Sequence, residues 1–294
     1  MSLVGKALDR LRQSGRLSPR EIPQWAPIGS AGAAVLGAMG TSGKIPKRVT
    51  VNIVALRAAG CIAEETEGRK FAGQYREIKR PLIDRALGKA SAAGREPLLI
   101  MVTSALPGDG KTFTSINLAL SMARERDVSV LLVDADVQKA DVSTVFDLRA
   151  EPGLLDALVD EAIDVESLVL RTNLPGLSLL PAGTPVEGAT ELLSSKRMRH
   201  LVASLIAHDS RRIVLLDSPP LLITSEARAL TKIAGQVVLV IRADKTPQRA
   251  VQDAVKLFDE HQPVGLVLNQ TKPGITQGYY GYGYYGTEHG DSTR

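Results

Sequence analysis

The stretch from Leu98 to Leu120, LLIMVTSALPGDGKTFTSINLAL, constrains this chain more than any other. An apolar run rich in β-formers, Leu98 to Val102, ends at Thr103 and Ser104. A turn-forming segment, Ala105 to Gly110, then leads into Lys111, Thr112 and an amphipathic helical pattern. Strand, glycine loop and helix in that order match G-x-x-x-x-G-K-[ST], with Ala105 in the first glycine position. With so little side chain at Gly108 and Gly110, backbone N–H groups can curl around phosphate oxygens, and the helix N-terminus adds the positive end of its dipole. The stretch predicts a nucleoside triphosphate site, with Lys111 on the β- and γ-phosphates and the Thr112 hydroxyl on Mg²⁺.

The remaining strands are short apolar runs of the kind buried on both faces of a parallel sheet: Leu98 to Ser104, Val128 to Val133, Ile213 to Leu216, Val237 to Ile241 and Gly265 to Leu268. Helical patterns fall between them, at Thr112 to Arg124, Lys196 to His208, Ser225 to Ile233 and Pro247 to Glu260. The alternation predicts a doubly wound α/β fold that binds its ligand at the carboxyl ends of the strands. Gly153 to Ser195 is less regular and is expected to hold a small helical insertion plus one or two more strands.

Two of the predicted strands run straight into acids. Leu131, Leu132 and Val133 lead to Asp134, Ala135 and Asp136; Val214, Leu215 and Leu216 lead to Asp217. Carboxylates at strand ends beside a phosphate loop are the hard oxygen ligands that Mg²⁺ takes, directly or through water. Two of them one residue apart can divide the work, Asp136 holding the metal and Asp134 facing a nucleophile. The competing reading of each is a loop acid that caps a turn.

At 294 residues, 44% hydrophobic and 23% charged, the chain has material for one such domain plus appendages and is not a disordered protein. The single cysteine, Cys61, excludes an intramolecular disulfide, and His200, His208, His261 and His289 have no metal-ligand spacing with it, which points to a reducing cytoplasm. No run reaches the roughly 18–20 apolar residues that span a bilayer, and Ala31 to Gly40 is too short, so a soluble chain is expected. Charge is uneven. Through Arg95 there are 17 Lys and Arg against 7 Asp and Glu; beyond it, 19 against 25. A basic arm therefore precedes an acidic body, suited to an anionic membrane face, nucleic acid, an acidic partner surface, or solvent alone. No nucleic-acid reading motif accompanies it.

The appendages divide by composition. Residues 1–16 form a short amphipathic helix with Leu3, Val4, Ala7, Leu8 and Leu11 on one face. Residues 17–50, rich in Pro, Gly, Ala and Ser, read as a flexible linker. Residues 51–95 are a helical lead-in: a short element from Val51 to Cys61, then a charged helix from Glu64 to Lys89 with Phe71, Tyr75, Ile78 and Leu82 on one stripe and Pro81 expected to kink or restart it. Residues 96–270 are the catalytic body. Residues 271–294 are a tail containing GYYGYGYYG, which holds five of the six tyrosines, Tyr279, Tyr280, Tyr282, Tyr284 and Tyr285. Interleaved glycine leaves each phenol accessible.

S-x-x-x-G-D-G-K-T at Ser104 to Thr112, L-L-V-D-A-D at Leu131 to Asp136, V-L-L-D-S-P-P at Val214 to Pro220 and the terminal tyrosines together resemble the bacterial tyrosine autokinases of exopolysaccharide synthesis, from about Arg76 to the C-terminus. MSLVGKALDRL at the start and VALRAAG at Val54 to Gly60 resemble the exosortase-associated subgroup. The resemblance implies a P-loop NTPase of the deviant-Walker type, like MinD and ParA, using ATP and Mg²⁺. Gly108, Asp109, Gly110, Lys111, Thr112 and Phe113 would hold the nucleotide, with Arg242 and Asn269 contacting it from late strand ends. Thr112, Asp136 and Asp217 would serve the metal, Asp134 would face the incoming hydroxyl with Lys111 and Asp136 as its catalytic companions, and the five tail tyrosines would be the phosphoacceptors. It also implies a membrane chain-length determinant (polysaccharide co-polymerase) as partner, a homo-oligomer, a cognate tyrosine phosphatase, and recruitment from the cytoplasm to the inner membrane face, with no nucleic acid.

The chain departs from that family's pattern twice. Gln138 stands where the family carries Arg, and E-x-x-R-x-x-R before the catalytic domain is matched only in part: one register has Gly73, Arg76 and Lys79, the other has Glu77 and Arg80 but ends at Ile83. Two other functions compete. A positioning ATPase of the ParA and MinD kind places a lysine where this chain has Leu106 and gives the tyrosines no role. A nucleotide-binding regulator without phosphotransfer would leave the tail unlabelled.

Overall fold

The structure, a computed structural model, describes residues 47–58, 60–62, 68–88 and 96–271. The amphipathic segment 1–16, most of the linker and the five tail tyrosines lie outside the described residues.

Eight strands form one sheet: β1 (Arg48–Val49), β2 (Glu96–Ser104), β3 (Ser129–Asp134), β4 (Leu170–Thr172), β5 (Leu177–Leu180), β6 (Arg212–Asp217), β7 (Ala234–Arg242) and β8 (Val264–Asn269), in the order β1-β4-β5-β3-β6-β2-β7-β8. Every pairing is parallel except β4 with β5. The exception has a covalent cause. Only four residues, Asn173 to Gly176, join β4 to β5, too few for the crossover that parallel neighbours need, and Gly176 takes the positive φ (+80°) of a tight hairpin. Arg48 and Val49, counted with the linker in the sequence, instead extend this reversed edge by pairing with Arg171 and Thr172.

The helices are α1 (Ile53–Ala58), α2 (Gly68–Leu87), α3 (Lys111–Met122), α4 (Asp141–Val145), α5 (Leu154–Val159), α6 (Ala189–Leu193), α7 (Lys196–His208), α8 (Ser225–Thr231) and α9 (Gln248–Val255). The expected helices at Ser225 to Ile233 and Pro247 to Glu260 end early, because their last turns tighten: Ile233 N–H bonds Leu230 O, and Phe258 N–H bonds Val255 O. The alternation of strand side chains explains why helices cover both faces. Leu99, Met101, Leu131, Val133, Val214, Leu216, Val237 and Leu239 pack beneath α5, α7 and α8. Their neighbours Ile100, Val102, Val130, Leu132, Ile213, Leu215, Val238 and Val240 pack beneath α2, α3 and α4. Each of these buried side chains contributes roughly 1.5–3 kcal/mol, so stability concentrates in β3, β6, β2 and β7, the strands that carry the site.

Helix α2 does not restart at Pro81, which lies inside one continuous element. Packing overrides the missing N–H: Tyr75 and Leu82 are buried against α3 and the sheet, with Phe71 and Ile78 packed beside them on the expected stripe. Polar bonds add to this. Lys79 Nζ donates to Ser121 O at 2.6 Å and pairs with Glu125 at 2.7 Å, and the buried Gln236 of β7 donates to Leu82 O at 3.1 Å. Helix α2 is thus fastened to α3, the helix that begins at the glycine loop.

Candidate functional site

The loop from Ala105 to Gly110 leaves the carboxyl end of β2 and turns into α3 through two left-handed glycines, Gly108 (φ +88°) and Gly110 (φ +96°). No atom lies within 4 Å of where a Cβ on Gly108 would stand, so the loop backbone faces open space. Gly110 caps α3 without a side chain, which leaves the first helical amides free of any side-chain acceptor. These are the features that a phosphate cradle requires, and they fit the triphosphate predicted from the sequence. Phe113 faces elsewhere: its ring stacks edge-on to Phe71 of α2 at 5.9 Å, so only its backbone N–H is oriented by the helix start.

Asp109 keeps the loop closed. Its Oδ2 accepts from Leu106 N–H at 3.1 Å and its Oδ1 from Thr246 Oγ1 at 2.7 Å. Asn269, at the end of β8, donates through Nδ2 to the Asp109 carbonyl at 2.9 Å. Burial raises the Asp109 pKa, while Thr246, Leu106 and the nearby Arg242 charge oppose it. Asn269, expected to contact the nucleotide, spends its amide on the loop backbone, and Arg242, expected to do the same, lies near enough for its charge to act on Asp109. Thr246 was not anticipated; nothing local marks a threonine 137 residues from its partner.

Three carboxylates gather beside Lys111. Asp134 and Asp217 are register partners across β3 and β6, and both are fully buried. Lys111 Nζ lies 2.6 Å from Asp136 Oδ2, 3.6 Å from Asp217 Oδ2 and 3.2 Å from Thr112 Oγ1. Desolvation pulls the Lys111 pKa down, but Asp217 and Asp136 outweigh it and hold it above its ordinary value, so the ammonium stays charged. Both oxygens of Asp217 are occupied: Oδ2 accepts from Thr112 Oγ1 at 2.7 Å and Oδ1 from Ser115 Oγ at 2.9 Å. Asp217 thus orients the threonine hydroxyl, and its pKa is raised by burial against the opposing charge of Lys111.

Asp134 is built differently. Its Oδ2 accepts from the Ser143 amide and the Ser143 hydroxyl, both at 2.7 Å, while its Oδ1 is buried with no hydrogen-bond partner. Burial first, and the Asp217 charge second, push its pKa up to about 7, against the pull of Ser143. A carboxylate that titrates near neutrality and keeps one oxygen unspent is equipped to accept a proton at that oxygen. Asp136 Oδ2 likewise has no hydrogen-bond partner besides its ionic contact with Lys111. Among the described residues no three His, Cys, Asp or Glu side chains converge as metal ligands. A cation here would take Thr112, Asp136 and Asp217 as its protein side, which suits Mg²⁺, an ion that keeps water and phosphate oxygens as its other ligands.

Gln138 is exposed and donates to Glu226 Oε1 at 2.9 Å, a carboxylate that also accepts from Thr190 Oγ1 at 2.6 Å. The residue that replaces the family's arginine therefore joins the loop after β3 to α8 and touches none of the three site acids. Among the described residues no helix is long and apolar enough to cross a membrane.

A glycine cradle at the carboxyl end of a central parallel strand, a lysine at its exit and acids at the ends of the next two strands to one side define a P-loop nucleotide-binding α/β domain, and residues 99–269 match the family model described as AAA domain. Tyrosine-protein kinase YwqD of Bacillus subtilis is 33% identical over 73% of this chain and 86% of its own length. Putative tyrosine-protein kinase EpsB of Ralstonia nicotianae is 34% identical over 63% of this chain, a match that spans 24% of the longer protein. The kinase domain of the Escherichia coli tyrosine kinase ETK superposes with a TM-score of 0.58 at 25% identity, covering 72% of this chain and 80% of that one. The chain belongs to the bacterial tyrosine-protein kinase family and is a protein-tyrosine kinase by that membership.

Proposed function

We propose that this chain transfers the γ-phosphate of ATP, bound with Mg²⁺, to tyrosines of its own C-terminal segment: Tyr279, Tyr280, Tyr282, Tyr284 and Tyr285. The observation that carries the reading is a charged Lys111 at the head of α3, 2.6 Å from Asp136 and 3.6 Å from Asp217, beside a buried Asp134 whose Oδ1 has no hydrogen-bond partner. Lys111, the loop amides and Thr112 hold the phosphates; Asp136 and Asp217 hold the metal side; Asp134 takes the phenol proton as the tyrosine oxygen bonds to phosphorus and ADP leaves. Phosphoryl transfer has a loose transition state, so positioning and charge neutralisation supply most of the rate and proton removal a smaller share. The segment from Asn269 to Tyr279 spans at most roughly 35 Å when extended, enough for the same or a neighbouring subunit.

The same reading places the chain in exopolysaccharide synthesis. The segments MSLVGKALDRL and VALRAAG support the exosortase-associated subgroup, in which a separate membrane chain-length protein recruits the kinase from the cytoplasm to the inner membrane face and a tyrosine phosphatase resets it. Homo-oligomer contacts fall to Arg76 and Arg80, which are exposed on α2, because Lys79 is spent on Ser121 and Glu125. Each phosphorylation adds up to about two negative charges to a tail beside an acidic body, which loosens the oligomer and so regulates export. Light scattering before and after phosphatase treatment checks this step; an unchanged particle size refutes it.

Intact mass after incubation with ATP and Mg²⁺ tests the activity. Phosphate adducts are expected on the wild type, slower to appear on Asp134→Asn, and absent from a chain with all five tail tyrosines changed to Phe. A wild type that hydrolyses ATP yet stays unlabelled, with the membrane partner supplied, overturns the proposal in favour of a positioning ATPase.

A further inference from the structure

Strand β8 ends one side of the sheet, and among the described residues no strand pairs with its outer edge. Pro263 O and Asn269 O accept from Val237 N–H and Ala243 N–H on the β7 side. In a parallel pair the N–H and C=O of one residue point the same way, so Gly265 and Val267 also face β7, while Leu266 and Leu268 turn theirs outward. Native proteins guard such an edge with charge, proline, a bulge or a covering element. β8 reads V-G-L-V-L-N, without charge or proline, and its register with β7 runs unbroken from Val264 to Asn269. Its side chains are equally unguarded. Leu266 and Leu268, in register with Leu239 and Ile241 of β7, are 58% and 56% exposed. Val255, which ends α9, and Leu257 just beyond it are exposed too, so four of the eight large apolar side chains exposed among the described residues fall between Val255 and Leu268. An edge of this kind calls for a strand to cover it.

We infer that the chain's own continuation covers it, residues 275–281 returning antiparallel along β8. The start of the reversal is in place: Gln270, directly after β8, takes a left-handed φ of +58°. Lys272, Pro273 and Gly274 follow, and Pro-Gly is a strong turn dipeptide, so a connection over 270–274 has five residues, within the hairpin range. Ile275 and Thr276 are β-formers, and neither charge nor proline occurs from Ile275 to Gly286. A neutral strand thus meets a neutral edge. Its short connection gives it an effective concentration on the order of millimolar, which a second copy of the chain does not match. An antiparallel edge strand on an otherwise parallel sheet is common. Because successive side chains alternate, one of the neighbouring Tyr279 and Tyr280 falls on the face of Leu266 and Leu268 in any register. Gly278 and Gly281 keep the added strand weak, and a phosphate on either tyrosine brings up to about two negative charges to an apolar edge, so the cover is releasable. On the tail-phosphorylating reading above, Tyr279 and Tyr280 are then labelled last, because Tyr282, Tyr284 and Tyr285 lie beyond the docked stretch.

Amide hydrogen exchange resolved to single residues, on the full chain without nucleotide, tests the docking. The N–H groups of Leu266 and Leu268 are expected to exchange at least about tenfold more slowly than open amides. The triple variant Ile275→Ser, Tyr279→Ser, Tyr280→Ser leaves the body untouched and is expected to remove that protection, while Gly265 and Val267 keep theirs. Open-amide exchange at Leu266 and Leu268 in the wild type overturns the inference. So does protection that survives the triple variant, or protection that falls when the wild type is diluted, the mark of a second copy on the edge. A further variant keeps all five tyrosines and alters only exposed positions, Leu266→Thr with Leu268→Thr. Peptide mapping of phosphates at early times is expected to find Tyr279 and Tyr280 labelled after the other three in the wild type and together with them in this variant; the same order in both overturns the inference. A wild-type chain that never labels its tail fails the phosphorylating reading alone, and the exchange result still decides the docking.

Discussion

Lys111 contacts two buried carboxylates, Asp136 and Asp217, and its charge also acts on a third, Asp134, so replacing it exposes how the site is held together before any ligand arrives. In Lys111→Met the new side chain keeps most of the volume, so the loss is electrostatic: Asp134, Asp136 and Asp217, each almost fully buried, lose the ammonium that lies 2.6 Å from one and 3.6 Å from another. Removing one partner from a buried ion pair costs about 3–5 kcal/mol. Because Lys111 titrates above its ordinary value in the folded chain, its contribution is complete at pH 8 and is lost as the pH rises from the ordinary lysine range up through that raised value. In the variant the sign reverses with acid. Asp134 already titrates at about 7 and Asp217 above its ordinary range, and without the cation both move higher, so protonation relieves the site as pH falls. Urea unfolding of nucleotide-free protein should therefore show the variant less stable by about 3–5 kcal/mol at pH 8 and by at least ~1 kcal/mol less than that at pH 5. Adding Asp217→Asn should restore part of the loss at pH 8. An equal loss at both pH values, or none at pH 8, refutes the reasoning.

Two further outcomes follow from the loop. Gly110→Ala places a methyl 2.0 Å from Asn269 Nδ2 at a φ of +96°, so it should destabilise the chain by about 1–2 kcal/mol from the left-handed backbone alone and weaken nucleotide binding, both read by thermal unfolding with and without ADP. Thr246→Val removes the hydroxyl that holds Asp109, and the loss of one such bond, about 1 kcal/mol, should weaken ATP roughly fivefold by calorimetry with the tail chemistry otherwise intact; an unchanged affinity would show that Asp109 needs no clamp.

What the sequence made legible is what the backbone alone arranges. A glycine loop after an apolar strand, and acids directly after two others, fall at one edge because parallel strands all end on the same side, so Lys111, Thr112, Asp134, Asp136 and Asp217 meet without long-range information. The reversal of β4 was hidden because the strand has three residues and its direction depends on a four-residue connection. Arg48 and Val49 were hidden because their strand character comes entirely from pairing with β4. The continuity of α2 through Pro81 depends on Tyr75, Leu82 and Lys79 packing against α3, which a local rule about proline does not contain.

The residues that tune the site were the least legible, and for a physical reason. Ser143 holds Asp134 from nine residues away across a turn, Ser115 holds Asp217 from one helical turn beyond the loop, and Thr246 holds Asp109 from the turn that follows β7. Each is an ordinary hydroxyl residue, of a type that occurs throughout the chain with no common spacing. The acids they serve are different: a buried carboxylate carries a penalty that something must offset, so each acid predicted at a strand end implied a donor whose identity the sequence did not disclose. Asp134 received two donors on one oxygen and none on the other, and that asymmetry is the part of the design that bears on chemistry. A donor on the second oxygen would have lowered its pKa and taken up the oxygen that the proposed mechanism needs free. The acid is therefore held at one oxygen and left unpartnered at the other, the oxygen to which the proposed mechanism assigns the proton.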